Sequence, residues 1–313
     1  MEVRLIEAAS EIGAGTRGTS MGMSALRVAA WKNGSELFGH AEESILRDEN
    51  DVLYEDDKAS PNAHHIDGLI RFESDLAYEV YKYLRNNVFP IVIGGDHSIA
   101  IGSVSGTKMA FQNERIGVVW VDAHADLHSP WTTPSGNVHG MPLALLMNIE
   151  KKGSNRPRMF TLDVWDRLRK IGSNDPKVLP SDLVFIGLRD YEEEERAIIE
   201  EHGIKVITVE DLRVKGAQQA VQETLQYLSE CDKLHISFDV DSLDPSISVG
   251  TGTPVPNGFF LDEARDLLTG FCADPRTCTL DVVEINPALD TRNAMAESVL
   301  TVLEPLFHIL RGR

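Results

Sequence analysis

Short runs of apolar, β-branched residues alternate along the chain with longer stretches in which apolar residues recur at helical spacing. Residues 90–93 (PIVI), 116–121 (IGVVWV), 183–186 (LVFI), 234–238 (LHISF) and 280–283 (LDVV) are the clearest of the short runs. They end at Gly94-Gly95, Asp122, Gly187, Asp239 and Glu284. Runs apolar at consecutive positions read as strands buried on both faces, as in parallel sheets. Between them the spacing predicts helices over 69–87, 142–149, 191–202, 217–230, 261–271 and 294–310. Pro142 suits a first helical turn, Gly203 suits a C-cap, and Pro305 should kink the last helix. Repeated strand–helix units imply one parallel sheet with helices on both faces. No repeat or low-complexity segment interrupts the pattern; 151–157 and 172–180 read as surface loops around a short insertion.

Composition narrows this little. With 313 residues, 42% hydrophobic and 25% charged, the chain can bury a full core. A net charge of −19 argues against a nucleic-acid partner and is compatible with a cationic substrate. No apolar stretch approaches the roughly 20 residues of a membrane span. The charged opening, Met1-Glu2-Val3-Arg4, is unlike a signal peptide. Cys231, Cys272 and Cys278 lack metal-ligand spacing. These features lead us to expect a cytoplasmic protein with no membrane partner.

The chemistry gathers where strands end, which is where open α/β sheets bind ligands. One strand runs into Gly94-Gly95-Asp96-His97-Ser98, the next into Asp122-Ala123-His124-Ala125-Asp126, and a third into Asp239-Val240-Asp241. A spacing of two in extended chain puts Asp122, His124 and Asp126 on one side, and Asp239 and Asp241 likewise. Bare acidic clusters at one sheet edge would repel, and divalent cations remove that penalty. A lone Asp there is usually a turn former or a cap; three such motifs together favour a metal site. His97, Asp122, His124, Asp126, Asp239 and Asp241 supply four carboxylates, two imidazoles and no thiolate. That set suits Mn²⁺ better than structural Zn²⁺, with Co²⁺, Ni²⁺ and Fe²⁺ left open. The surplus of carboxylates suggests two ions, which in paired sites lie about 3.5–4 Å apart.

These segments resemble the ureohydrolases, and within them the arginases. The resemblance covers nearly the whole chain, so 1–313 is expected to form a single ureohydrolase-like domain. Its most specific stretches are GGDHSIAIGS from Gly94, DAHADLHSPWTTPSGNVHGMP from Asp122, GLRD from Gly187, SFDVDSLDP from Ser237 and EINP from Glu284. The resemblance implies a three-layer αβα fold with a mostly parallel sheet, two Mn²⁺ ions and a homotrimer or homohexamer. It implies hydrolysis of L-arginine to L-ornithine and urea by a metal-bridging hydroxide, the six residues above being the metal ligands. Asp126 would take the nucleophile's proton, His139 would shuttle protons to and from solvent, and Glu284 would hold the guanidinium, with Thr253 beside it. Thr133, Ser135, Asn137, His128, Glu192 and Glu195 would face the substrate's amino-acid end. His128 stands where the family usually has Asn, Glu192 where it has Asp, and Glu194 where it has Gly. A cationic His128 would suit a substrate carboxylate and so favour arginine over agmatine. A sibling activity on agmatine or a guanidino acid, or an inactive homologue with a binding role, are the alternatives.

Overall fold

The computed structural model describes residues 1–57 and 59–313. Its centre is an eight-stranded sheet in the order β2-β1-β3-β8-β7-β4-β5-β6. The strands are β1 (Glu2–Glu7), β2 (Glu42–Ile45), β3 (Val88–Ile93), β4 (Ile116–Val121), β5 (Leu183–Ile186), β6 (Lys205–Ile207), β7 (Lys233–Asp239) and β8 (Thr277–Val283). Every pairing between them is parallel.

The five runs anticipated from the pattern are β3, β4, β5, β7 and β8, and all but the ends of these are buried. Consecutive residues go to opposite faces. Leu5, Ile91, Ile93, Val119, Val121, Ile236 and Phe238 pack into one core with helices Gly22–Asn33, Leu261–Ala273 and Ala294–Gly312. Ile6, Val92, Val118, Trp120 and Phe185 face cores on the other side. There lie helices Ile66–Arg85 and Ala100–Ala110. The result is the expected three-layer sandwich.

Pro142 opens helix Pro142–Leu146, and Gly203 ends helix Glu193–His202 in the left-handed conformation. The last helix runs on through Pro305. Its ring nitrogen cannot donate to the Thr301 carbonyl, so one bond is lost from the ladder without ending it.

Strand order positions the site. The chain leaves β3 and enters β4 three places away, and β7 and β8 later fill the two places between. The C-terminal ends of β3, β8, β7 and β4 therefore stand side by side at the point where the winding reverses. A crevice opens at such a switch point.

Candidate metal centre

Each of these four strands delivers its motif to one place. After β3 the chain turns through Gly94 and Gly95, both at positive φ. A Cβ on Gly95 would lie 2.5 Å from the Ala8 carbonyl oxygen, so only glycine allows the approach. Asp96 then accepts from the Gly13 and Ser98 N–H groups and fixes the turn that presents His97. His97 Nδ1 lies 2.9 Å from Asp122 Oδ2 and 3.1 Å from both Asp126 Oδ2 and Asp239 Oδ2.

A second cluster shares one member with the first. His124 Nδ1 is 3.0 Å from Asp241 Oδ2 and 3.5 Å from Asp122 Oδ1. Asp122 thus turns one oxygen to each cluster. Within their own turns Asp122 accepts from the His124 N–H and Asp239 from the Asp241 N–H, both at strand ends. All six anticipated ligands are brought together, and all but His124 are buried.

The inward atoms fit divalent cations. His97 Nδ1, Asp122 Oδ2 and Asp126 Oδ2 are buried without a hydrogen-bond partner among the described residues. Converging buried polar atoms that do not pair with one another are costly unless a cation lies among them. His97, Asp122 and Asp239 form one group with metal-ligand spacing, and Asp122, His124 and Asp241 another. Electrostatics reports the same crowding. Burial lowers the His97 pKa, but the three carboxylates outweigh it and hold it well above its ordinary value. Burial and the neighbouring Asp241 and Asp122 push Asp239 well above the usual carboxylate range.

Two further side chains hold His97 in place. Its Nε2 is 2.8 Å from Ser237 Oγ, and its ring stacks on Trp120 with centroids 3.9 Å apart. With a divalent cation at Nδ1, the His97 Nε2–H would donate to Ser237 Oγ, which would fix the tautomer. Sequence reading did not give Ser237 or Trp120 a role. The signal was present, because each lies two residues before an aspartate ligand on the same sheet face. Asp190, the last residue of the GLRD stretch, lies 3.8 Å from His124 Nε2.

Beside the clusters, Glu284 Oε1 accepts from the His97 N–H at 3.1 Å and lies 2.9 Å from His139 Nδ1. Burial lowers the His139 pKa, but Glu284 outweighs it and raises it to about 9. Asp126 and Glu284 both adopt positive φ. Thr253 donates to Asp241 Oδ2 at 3.1 Å. The 128–137 loop closes one wall. Thr133 and Ser135 accept from the Gly136 and Asn137 N–H groups, which leaves their own hydroxyl protons to donate. The start of helix Glu193–His202 packs directly against this loop, where Glu195 accepts from the Leu127 N–H at 3.0 Å. Burial and the neighbouring Glu192 raise the Glu195 pKa to about 9.

An all-parallel α/β sheet with histidine–carboxylate clusters at its switch point fits the class of metal-binding α/β proteins, and sequence comparison narrows it to a hydrolase family. The profile described as "Arginase family" matches residues 1–308, and the chain belongs to that family. Its relatives include the arginase of Bacillus subtilis, 34% identical over 95% of this chain and 94% of that protein. The arginase of Bacillus caldovelox is 34% identical over 97% of each. Among solved structures, the arginase of Entamoeba histolytica in complex with L-ornithine superposes with a TM-score of 0.83 at 28% identity, over 98% of this chain and 97% of that one. No helix among the described residues is long and apolar enough to cross a membrane.

Proposed function

We propose that the protein hydrolyses L-arginine to L-ornithine and urea with two Mn²⁺ ions held by His97, Asp122, His124, Asp126, Asp239 and Asp241. The observation that carries this reading is Asp122, which offers one oxygen to each of two histidine–carboxylate clusters beside a Glu284–His139 pair. Bound divalent ions would supply hydroxide at neutral pH by lowering the pKa of water from ~15.7.

The residues divide the remaining work. Glu284 is buried and anchored through Oε1 by the His97 N–H, which suits it to hold a planar guanidinium. Thr253, fixed on Asp241, lies beside that group. Asp126 accepts the proton released by the nucleophile and passes it toward the leaving amine. His139, with a fifth of its side chain exposed, carries protons between site and solvent. Thr133, Ser135 and Asn137 meet the α-carboxylate with O–H and N–H donors, and His128, Glu192 and Glu195 line the α-amino end. The arginase names of the relatives and the L-ornithine bound to the Entamoeba enzyme support this substrate.

The test is urea release from arginine, agmatine and guanidino acids after Mn²⁺ loading. Arginine should be preferred, chelation should abolish release, and Mn²⁺ should restore it better than Zn²⁺. Preference for another guanidino compound would reassign the substrate. Full activity in metal-stripped protein would overturn the reading.

A further inference from the structure

Past the end of β4, His128 meets two glutamates from the start of helix Glu193–His202. His128 Nε2 lies 3.0 Å from Glu192 Oε2 and 3.6 Å from Glu195 Oε2. Its Nδ1 is 3.2 Å from Thr132 Oγ1. A neutral imidazole satisfies this arrangement, with Nε2–H donating to Glu192 and the Thr132 hydroxyl donating to Nδ1. Both ring nitrogens are therefore engaged. The ring is 8% exposed, whereas the Glu192 side chain is 55% exposed. A ligand carboxylate could reach the imidazole only by displacing Glu192.

We propose that His128 is a positioning residue. It holds the Glu192 carboxylate at the rim, and that carboxylate meets the ammonium at the far end of the substrate. This rests on the arginine reading above. Glu192 is the residue before the first turn of helix Glu193–His202, whose backbone N–H groups would draw its carboxylate back. A half-exposed glutamate is also free to rotate, and ordering it on binding would cost affinity. The His128 N–H reduces both losses beforehand, on the face of Glu192 that Glu195 does not hold. The imidazole is itself anchored: its backbone N–H donates to the Gly140 carbonyl at 3.0 Å, and Thr132 Oγ1 accepts from the Ser129 N–H at 2.9 Å. Glu195 ties loop to helix, its Oε1 accepting from the Leu127 N–H and its Oε2 from the Glu192 N–H. Its carboxyl, with a pKa raised to about 9, also hydrogen-bonds the Glu192 side chain.

The experiment measures kcat and KM for arginine, and competitive inhibition by three small amines. Ornithine carries both the α-ammonium and the carboxylate, 5-aminopentanoate lacks the α-ammonium, and 1,4-diaminobutane lacks the carboxylate. His128→Ala should raise KM for arginine and the inhibition constants of ornithine and 1,4-diaminobutane about tenfold or more, the loss expected for a bond to a charged group. Inhibition by 5-aminopentanoate should not move, and kcat should change little. Glu192→Gln should give the same pattern, and the double variant should be no worse than either single one. His128→Gln, whose amide N–H can also donate to Glu192, should recover most of the loss. A loss that persists with 5-aminopentanoate and vanishes with 1,4-diaminobutane would place His128 on the carboxylate and overturn the proposal. So would additive single effects, or a fall in kcat at constant KM. Metal-loaded wild type that releases no urea from arginine would instead remove the functional reading beneath it.

Discussion

Asp126 and Glu284 show most directly what the site asks of single residues. Both hold positive φ, a conformation that costs a side-chain-bearing residue about 1–3 kcal/mol. The surrounding turns over-determine them, the Asp126 carbonyl accepting from the Leu143 N–H and the Glu284 N–H donating to the Gly95 carbonyl. Asp122 serves both clusters, so Asp122→Ala should take metal content below one ion per chain, whereas Asp241→Ala should retain close to one; elemental analysis decides this. His139→Asn should lower kcat by about 10²–10⁴-fold with metal content unchanged, the range for a lost acid–base group. Loss of metal in that variant would make His139 a ligand. Ser237→Ala removes the partner of His97 Nε2 and should weaken metal binding by about 10–100-fold, measured by competition with a chelator. The ligands were legible from their types and spacing just past apolar strands, but extended-chain alternation is not what gathers them. β4 ends at Val121, Asp126 holds positive φ and Asp241 lies in a 3-10 turn, so turns divide them between two clusters. Ser237 and Trp120 were legible only by position, two residues before Asp239 and Asp122 on one sheet face, since their residue types alone look like any other interior residue.

At the scale of elements, the pattern disclosed the interior and missed the margins. β3, β4, β5, β7 and β8 are buried on both faces and so spell continuous apolar runs. β1, read as EVRLIE, carries charges, and β2 (EESI) and β6 (KVI) lie at the two edges of the sheet. Edge strands need no apolar face toward solvent, so their sequences carry little signal. Helix Ala100–Ala110 escaped for the opposite reason, being buried almost all round, with no polar face to set a period. Helix Ile66–Arg85 carries an acid in that interior. Glu73 is 0% exposed, accepts from the Gly102 N–H through Oε2 at 2.7 Å, and has no hydrogen-bond partner at Oε1 among the described residues. Burial raises its pKa well above the ordinary carboxylate value. Below a pH of about 4.5 the folded and unfolded chains both hold this proton. As pH rises, the unfolded chain releases it and the fold retains it, so stability is lost up to the folded pKa, at no more than about 1.4 kcal/mol per pH unit. Glu73→Gln should abolish this contribution. Denaturant unfolding of metal-stripped protein should show the variant gaining on wild type from pH 5 to pH 8. A difference independent of pH would show that Glu73 is ionised in the fold.

At the scale of the whole molecule, the resemblance that supplied the ligand set also implies assembly. We expect a homotrimer or homohexamer, and light scattering across a wide concentration range should find three or six chains per particle. A monomer throughout would count against it. The sheet order carries one more consequence, for how the protein is made. β3 and β4 leave the ribosome with the places between them empty, and β8 and β7, which fill those places, come from the last third of the chain. His97 meets a Glu284 carboxylate that lies 187 residues further on. Contacts of such long range close slowly, and until they close two interior strand edges stand open. A nascent chain can therefore hold three of its metal-binding side chains near one another on the β4 turn long before it holds a finished centre. Release of the C-terminal third is the event that seals the sheet and brings Asp239, Asp241 and Glu284 to the residues already in place.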